Sequence, residues 1–166
     1  MNPFRLLRFF GARKRRDLEF FPPFWLTGIR ISQQNHWRKV RVKLPLTRFT
    51  RNMGGSMFGG SQASVADPIP AIACSRVFPG YAVWTRALTI EFEHPATTDL
   101  ELRFDFPPEQ EKIIRKELES RGRSTPTFEM GYYDKHGQLC ARISNTVAIR
   151  PRGYRRKTGP EPGGSS

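Results

Sequence analysis

Alternation of apolar and polar side chains marks several stretches of this chain as strands. In "VRVKLPL", Val40, Val42, Leu44 and Leu46 fall on one face, with Arg41 and Lys43 opposite. "LELRFDF" sets Leu100, Leu102, Phe104 and Phe106 against Glu101, Arg103 and Asp105. "TFEMGYY" and "QLCARISNTVAI" are two further strands, joined by "DKHG", whose residue types suit a hairpin turn. "YAVWTRALTIEFEHP" is a longer strand that groups Trp84, Leu88, Ile90 and Phe92, with Arg86 an oddity on that face. Upstream, "TGIRISQQ" reads as one more short strand.

Two stretches carry helical signals instead. "PPEQEKIIRKELESRG" opens on prolines and acids and closes on basic residues and Gly122, as helix starts and stops do. From Gly59 to about Phe78 the residues are small or apolar nearly all round, the mark of a buried helix. Pro68 and Pro70 each remove a backbone donor and crowd the preceding turn, so this helix is expected to kink or break near Asp67. The predicted order is strand, strand, long helix, strand, strand, short helix, strand, strand. Antiparallel neighbours with one face covered by a helix give an α+β fold.

Length and charge refine this picture. The 166 residues suit one domain, here 21–152, preceded by a basic segment, 1–20, and followed by a Gly- and Pro-rich tail, 153–166, with a composition typical of disorder. Of the 28 basic residues, 18 lie in 1–16, 28–51 and 150–157. The segment 52–149 has ten basic and twelve acidic residues, and the remainder of the chain carries +15. Such a surplus either attracts phosphates or anionic lipid, or is simply solvated. No interleaved aromatic stacking motif or helix-turn-helix pattern accompanies it, which argues against nucleic acid. "MNPFRLLRFFGARKRRDLEFF" is basic and partly amphipathic, and reads as a helix packed on the domain, a targeting segment or a membrane-surface helix. No apolar run is long enough to span a membrane. The two cysteines, Cys74 and Cys140, have neither metal nor disulfide-framework spacing, so a reducing compartment such as the cytoplasm is the default. His36, His94 and His136 lack ligand-spaced partners; no metal or cofactor is expected.

The chemistry concentrates in "RNMGGSMFGGSQASVADPIP", residues 51–70. Four glycines within seven residues lead into the small-residue helix, which contains one carboxylate, Asp67. Asn52, "GGSM", Phe58, Gly59-Gly60, "SQASVA" and Asp67 together resemble the hotdog-fold thioesterases of the phenylacetate-pathway type. The resemblance runs over about residues 20–152, taking in "RVRVKLPL", "GYAVWTRALTIEF" and "TFEMGYYDKHGQLCARISNTVAIRP". In particular the chain is similar to a group of small bacterial hotdog proteins known as a domain of unknown function and taken for acyl-CoA thioesterases.

That resemblance implies an antiparallel sheet wrapped around a long central helix, and a site shared between two subunits of a homodimer or a tetramer. It implies an acyl-CoA or other acyl-thioester substrate whose carbonyl sits at the helix N-terminus, where unpaired amides near Gly60 would hold an oxyanion. Gly59 would let the ligand approach the backbone, and Asp67 would act as general base on water or attack directly. Asn52 would orient substrate or water, Ser61 and Gln62 would supply polar groups, and Arg48 and Arg51 would meet cofactor phosphates at the mouth. Trp84 would help to set pocket depth. Phe58 stands where many such enzymes have His.

Plainer readings stand beside these. Asp67-Pro68 is also an N-cap followed by proline at the first helical position. Asn52 also suits a turn, and Ser61 and Gln62 suit first-turn capping. The fold serves non-catalytic acyl-CoA or lipid-binding modules as well as hydrolases, and the charge leaves an anionic-membrane or nucleic-acid binder as a third class.

Overall fold

The structure is a computed structural model that describes residue 19 and residues 21–154. The expectations for most of 1–20 and for the tail beyond Tyr154 lie outside the described residues. Six strands form one antiparallel sheet: β1 (Arg30–Asn35), β2 (Lys39–Leu44), β3 (Tyr81–Phe92), β4 (Leu100–Asp105), β5 (Thr127–Tyr133) and β6 (Leu139–Pro151). Their spatial order is β1-β2-β4-β5-β6-β3, so β1 and β3 are the edges. Four helices accompany them: α1 (Pro22–Thr27), α2 (Gly59–Ala66), α3 (Pro68–Val77) and α4 (Pro108–Arg121). This is the predicted α+β arrangement. The unforeseen element is α1, signalled by prolines at its start and by Gly28 at its end, where φ is +68°.

The strand alternation predicted for β2 and β4 holds. Val40, Val42, Leu44, Leu100, Leu102 and Phe104 are all buried on the face that meets the helices. Behind them Phe104, Phe106 and Phe128 form an aromatic knot with ring centroids 4.9–6.2 Å apart, and Phe78 at the end of α3 joins it 6.2 Å from Phe106. Ile114 and Leu118 of α4 close this end of the core. Glu111 ties α4 to the β2 turn, accepting two hydrogen bonds from Arg38 at 2.7 and 2.9 Å and two from Arg115 at 2.6 and 3.2 Å. These bonds favour the ionised form and hold the Glu111 carboxyl below the usual carboxylate range.

β3 departs from the expected alternation. Its pairing with β6 slips by one residue between Thr85 and Ala87, leaving Arg86 as the extra residue of a bulge. The slip reverses the inward face. Val83 and Thr85 pair with the buried Ile149 and Val147, whereas Leu88 and Ile90 pair with the buried Asn145 and Ile143. Trp84 therefore points away from the helices rather than sharing a face with Leu88, Ile90 and Phe92. Arg86 looked anomalous on a strict period of two because the period itself breaks there.

The sheet is tied to the preceding chain from Glu19, whose Oε1 accepts a 2.7 Å hydrogen bond from the Ile31 N–H. Deleting residues 1–16 is accordingly expected to leave the cooperative thermal melt unchanged. Circular dichroism of the truncated and full chains checks this, and a collapse of folding would place "PFRLLRFF" within the core.

Candidate functional site

The central helix is interrupted where the prolines demand it. Asp67 closes α2 and opens α3 in one residue. Pro68 and Pro70 have no N–H, so the carbonyls four residues before them lose their helical donors. At the break itself the carbonyl of Asp67 is held by the sheet, accepting from Thr85 Oγ1 at 2.9 Å and Asn145 Nδ2 at 3.0 Å. Asn145 is wholly buried on β6, and its Oδ1 has no partner among the described residues. The joint thus lies against β6 and β3, the edge strand.

The Asp67 side chain is exposed, and it is no cap. Its backbone is helical, with φ −50° and ψ −54°, and the carboxylate makes no capping hydrogen bond to α3. Ala66, just before it, and Ile69, two residues after it, are buried. A solvated carboxylate, the one acid of α2 and α3, is thereby presented next to a sheet edge.

At the other end of α2, backbone bonds fix the entry. Met57 N donates to Ala96 O at 2.8 Å and Phe58 N to Thr50 O at 2.7 Å. Gly59 and Gly60 follow in the first helical turn, where no intrahelical carbonyl reaches the N–H groups. Two aromatic rings lie over these glycines. A Cβ on Gly59 would stand 2.8 Å from Phe92 Cζ, and one on Gly60 would stand 2.3 Å from Phe58 Cε1. The glycines are required here for ring packing as well as for any approach by a ligand. Phe58 and Phe92 are both more than half exposed, so the pair forms an aromatic rim over the helix start.

Ser61 and Gln62 are buried rather than capping, since the N-cap of α2 is Phe58 and makes no side-chain cap bond. Gln62 O accepts from the buried Tyr132 hydroxyl at 2.8 Å, while Gln62 Oε1 has no partner among the described residues. Burial also pushes the Tyr132 hydroxyl and the Cys74 thiol above their ordinary pKa values, so both stay protonated.

Asn52 is exposed and engaged in its own loop. Its Nδ2 donates to Ser56 Oγ at 2.9 Å, and its Oδ1 accepts from Ser56 N at 3.1 Å. Arg48 lies over the Phe49 ring, 4.8 Å from its centroid. Arg51 stands on the rim of a surface depression of about 740 Å³ that is also lined by Lys43, Asp99, Arg103, Tyr133 and Lys135.

The fold therefore gathers Phe58, Gly59, Gly60, Ser61 and Gln62 at one helix end and leaves Asp67 apart from them. Asp67 lies seven positions after Gly60 along the helix, about 10 Å at 1.5 Å per residue. Trp84 stays on the other face of the sheet. Sequence reasoning missed Thr85 and Asn145, which hold the joint, and the placement of Phe92 over the helix start. Only the Arg86 anomaly hinted at the first. Among the described residues no cluster of His, Cys, Asp or Glu gathers as a metal-ion set. Among them, too, no helix is long and apolar enough to cross a membrane.

Comparison with known proteins places this geometry. The family described as "Domain of unknown function (DUF4442)" matches residues 16–149. No curated protein matches the chain. Among solved structures, a Pseudomonas aeruginosa protein described as a "probable thioesterase" of unknown function is 21% identical and covers 91% of this chain and 97% of its own, with a TM-score of 0.75. A Haemophilus influenzae thioesterase is 17% identical, covers 85% and 91%, and has a TM-score of 0.67. A Staphylococcus aureus thioesterase, solved as a Gln-to-Ala variant, is 16% identical, covers 75% and 95%, and has a TM-score of 0.60. At these identities the likeness is one of fold, and that fold is the thioesterase-like hotdog: a six-stranded antiparallel sheet around a helix.

Proposed function

The chain belongs to the family of the domain of unknown function DUF4442, and from that premise we propose that it hydrolyses acyl thioesters, with acyl-CoA as the substrate class. The observation that carries the reading is the exposed Asp67 carboxylate on the central helix beside the edge strand β3. In the proposed reaction the thioester carbonyl lies at the start of α2, its oxygen on the amide near Gly60. Asp67 takes a proton from water as the water oxygen bonds to the carbonyl carbon. The tetrahedral oxyanion, held by the helix N-terminus, then collapses and expels the thiolate, which takes up a proton. Arg51 and Arg48 offer charge to the phosphates of the carrier.

The separation of about 10 Å along the helix keeps an Asp67 carboxylate from a carbonyl bound at its own Gly60. A second copy, pairing along β3, would bring its Asp67 to that carbonyl. β3 is a 12-residue edge strand without proline, the kind of edge that accepts another strand. The protein is therefore expected to be a homodimer, or a tetramer of dimers, at micromolar concentration. Light scattering checks this, and a purely monomeric species would remove the shared site.

A Glu-to-Ala variant of the S. aureus protein has also been solved. Its glutamine and glutamate were the residues chosen for replacement, and Asn52 and Asp67 are the amide and carboxylate that this chain offers. The Phe58 ring across Gly60 favours a second reading, an acyl-CoA-binding module without turnover. A panel of acyl-CoA thioesters with a thiol reporter separates the two. Release of free thiol supports hydrolysis, and saturable binding without release assigns the binding module.

A further inference from the structure

We propose that the face carrying Trp25, Leu26, Phe49 and Met53 docks this protein onto an anionic lipid bilayer. The inference stands whether or not the protein hydrolyses thioesters. α1 buries Phe24 and Thr27 and turns its two other large apolar side chains outward: Trp25 is 68% exposed and Leu26 is 55% exposed. In the loop between β2 and α2, Phe49 is 57% exposed and Met53 fully so. The two segments are neighbours at their bases: a Cβ on Gly28, the residue after α1, would stand 3.5 Å from the ring of Pro45, which opens the loop.

The outward aromatic is held in place. The neighbouring Thr50 is wholly buried, and its hydroxyl donates to Pro45 O at 2.6 Å and accepts from Thr47 N at 2.8 Å. Phe49 therefore projects from a braced turn, with the Arg48 guanidinium over its ring.

Charge identifies the occupant. Between Glu19 and Asp67 the sequence has no Asp or Glu and seven Lys or Arg; Arg38, Arg41 and Lys43 pair with Glu111, Asp105 and Asp99, which leaves Arg30, Lys39, Arg48 and Arg51. Arg48 and Arg51, beside the apolar side chains, are both exposed. A second copy laid on this face offers no carboxylate between residues 20 and 66 to meet Arg48 and Arg51. A nucleic acid would find the charge, but Leu26 and Met53 offer it neither a stacking surface nor a hydrogen bond. A bilayer of anionic lipid satisfies both halves: apolar side chains enter the headgroup boundary while Lys and Arg meet the phosphates. Stable anchoring of a peripheral protein takes two such signals together, and this face carries both.

The test uses the full chain and vesicles of phosphatidylcholine alone or mixed with phosphatidylglycerol, read by co-sedimentation. Binding is expected to the mixed vesicles and not to the neutral ones, and to weaken as salt is raised. The paired change Trp25→Ser and Leu26→Ser, and separately Met53→Ser, should weaken it, the pair by about tenfold or more. These side chains are exposed, so the thermal melt should stay as in the parent. Equal binding to both vesicle types, or variants that bind like the parent, would overturn the proposal. So would variants that change only the oligomer size, which would assign the face to a second copy. Preference for an oligonucleotide over the mixed vesicles would overturn it as well.

Discussion

Asp67→Asn is expected to abolish thioester hydrolysis while leaving the fold intact. A general base must be ionised and must take a proton; the amide does neither. Losing such a base lowers rates by about 10²–10⁴-fold, roughly 3–5 kcal/mol of barrier. Stability should barely respond, because the Asp67 side chain is exposed and caps nothing. Asp67→Ala sharpens the point. An N-cap would lose about 1 kcal/mol on that change, but an exposed helical aspartate gains up to a few tenths of a kcal/mol from the better helix propensity of alanine. The contacts of the joint are made by the Asp67 carbonyl, which both variants keep. Steady-state hydrolysis and thermal melts of the parent and the two variants decide the matter. An Asn variant that turns over at the parental rate would remove Asp67 from the mechanism.

Phe104→Ala is expected to be the most destabilising single change in the core. Phe104 is fully buried, and its ring packs at 5.7 Å on Phe128 and 6.2 Å on Phe106. Its strand neighbours Leu102 and Val40 are also wholly buried, so rigid backbone on both sides resists collapse into the space left. A phenylalanine truncated at such a site costs about 3–5 kcal/mol. For a domain of this size that lowers Tm by on the order of 10 °C. Denaturant titration of parent and variant measures it. A loss under about 1 kcal/mol would show that the knot relaxes around the gap.

The elements and their order were legible in the chain because each rests on local physics. Val40, Val42 and Leu44, and Leu100, Leu102 and Phe104, alternate in sequence and are buried as that alternation requires. Pro68 and Pro70 announced the break at Asp67, because a missing N–H is a property of the residue and not of its surroundings. The glycine-rich entry into a buried helix was equally readable.

What Asp67 does at that break was not legible. Its two readings, cap and free carboxylate, share one sequence. They are separated only by the helical dihedrals of residue 67 and by Thr85 and Asn145, which stand 18 and 78 residues away and take its carbonyl. The face of Trp84 was decided in the same way. One extra residue at Arg86 reverses every side chain before it relative to those after it, and a bulge exists only against the partner strand β6. The sequence by itself thus determined which segments fold and where the central helix fails. Tertiary structure alone decided which side chains face the helix and which carboxylate is left in solvent, because those outcomes depend on register and on hydrogen bonds between residues distant along the chain.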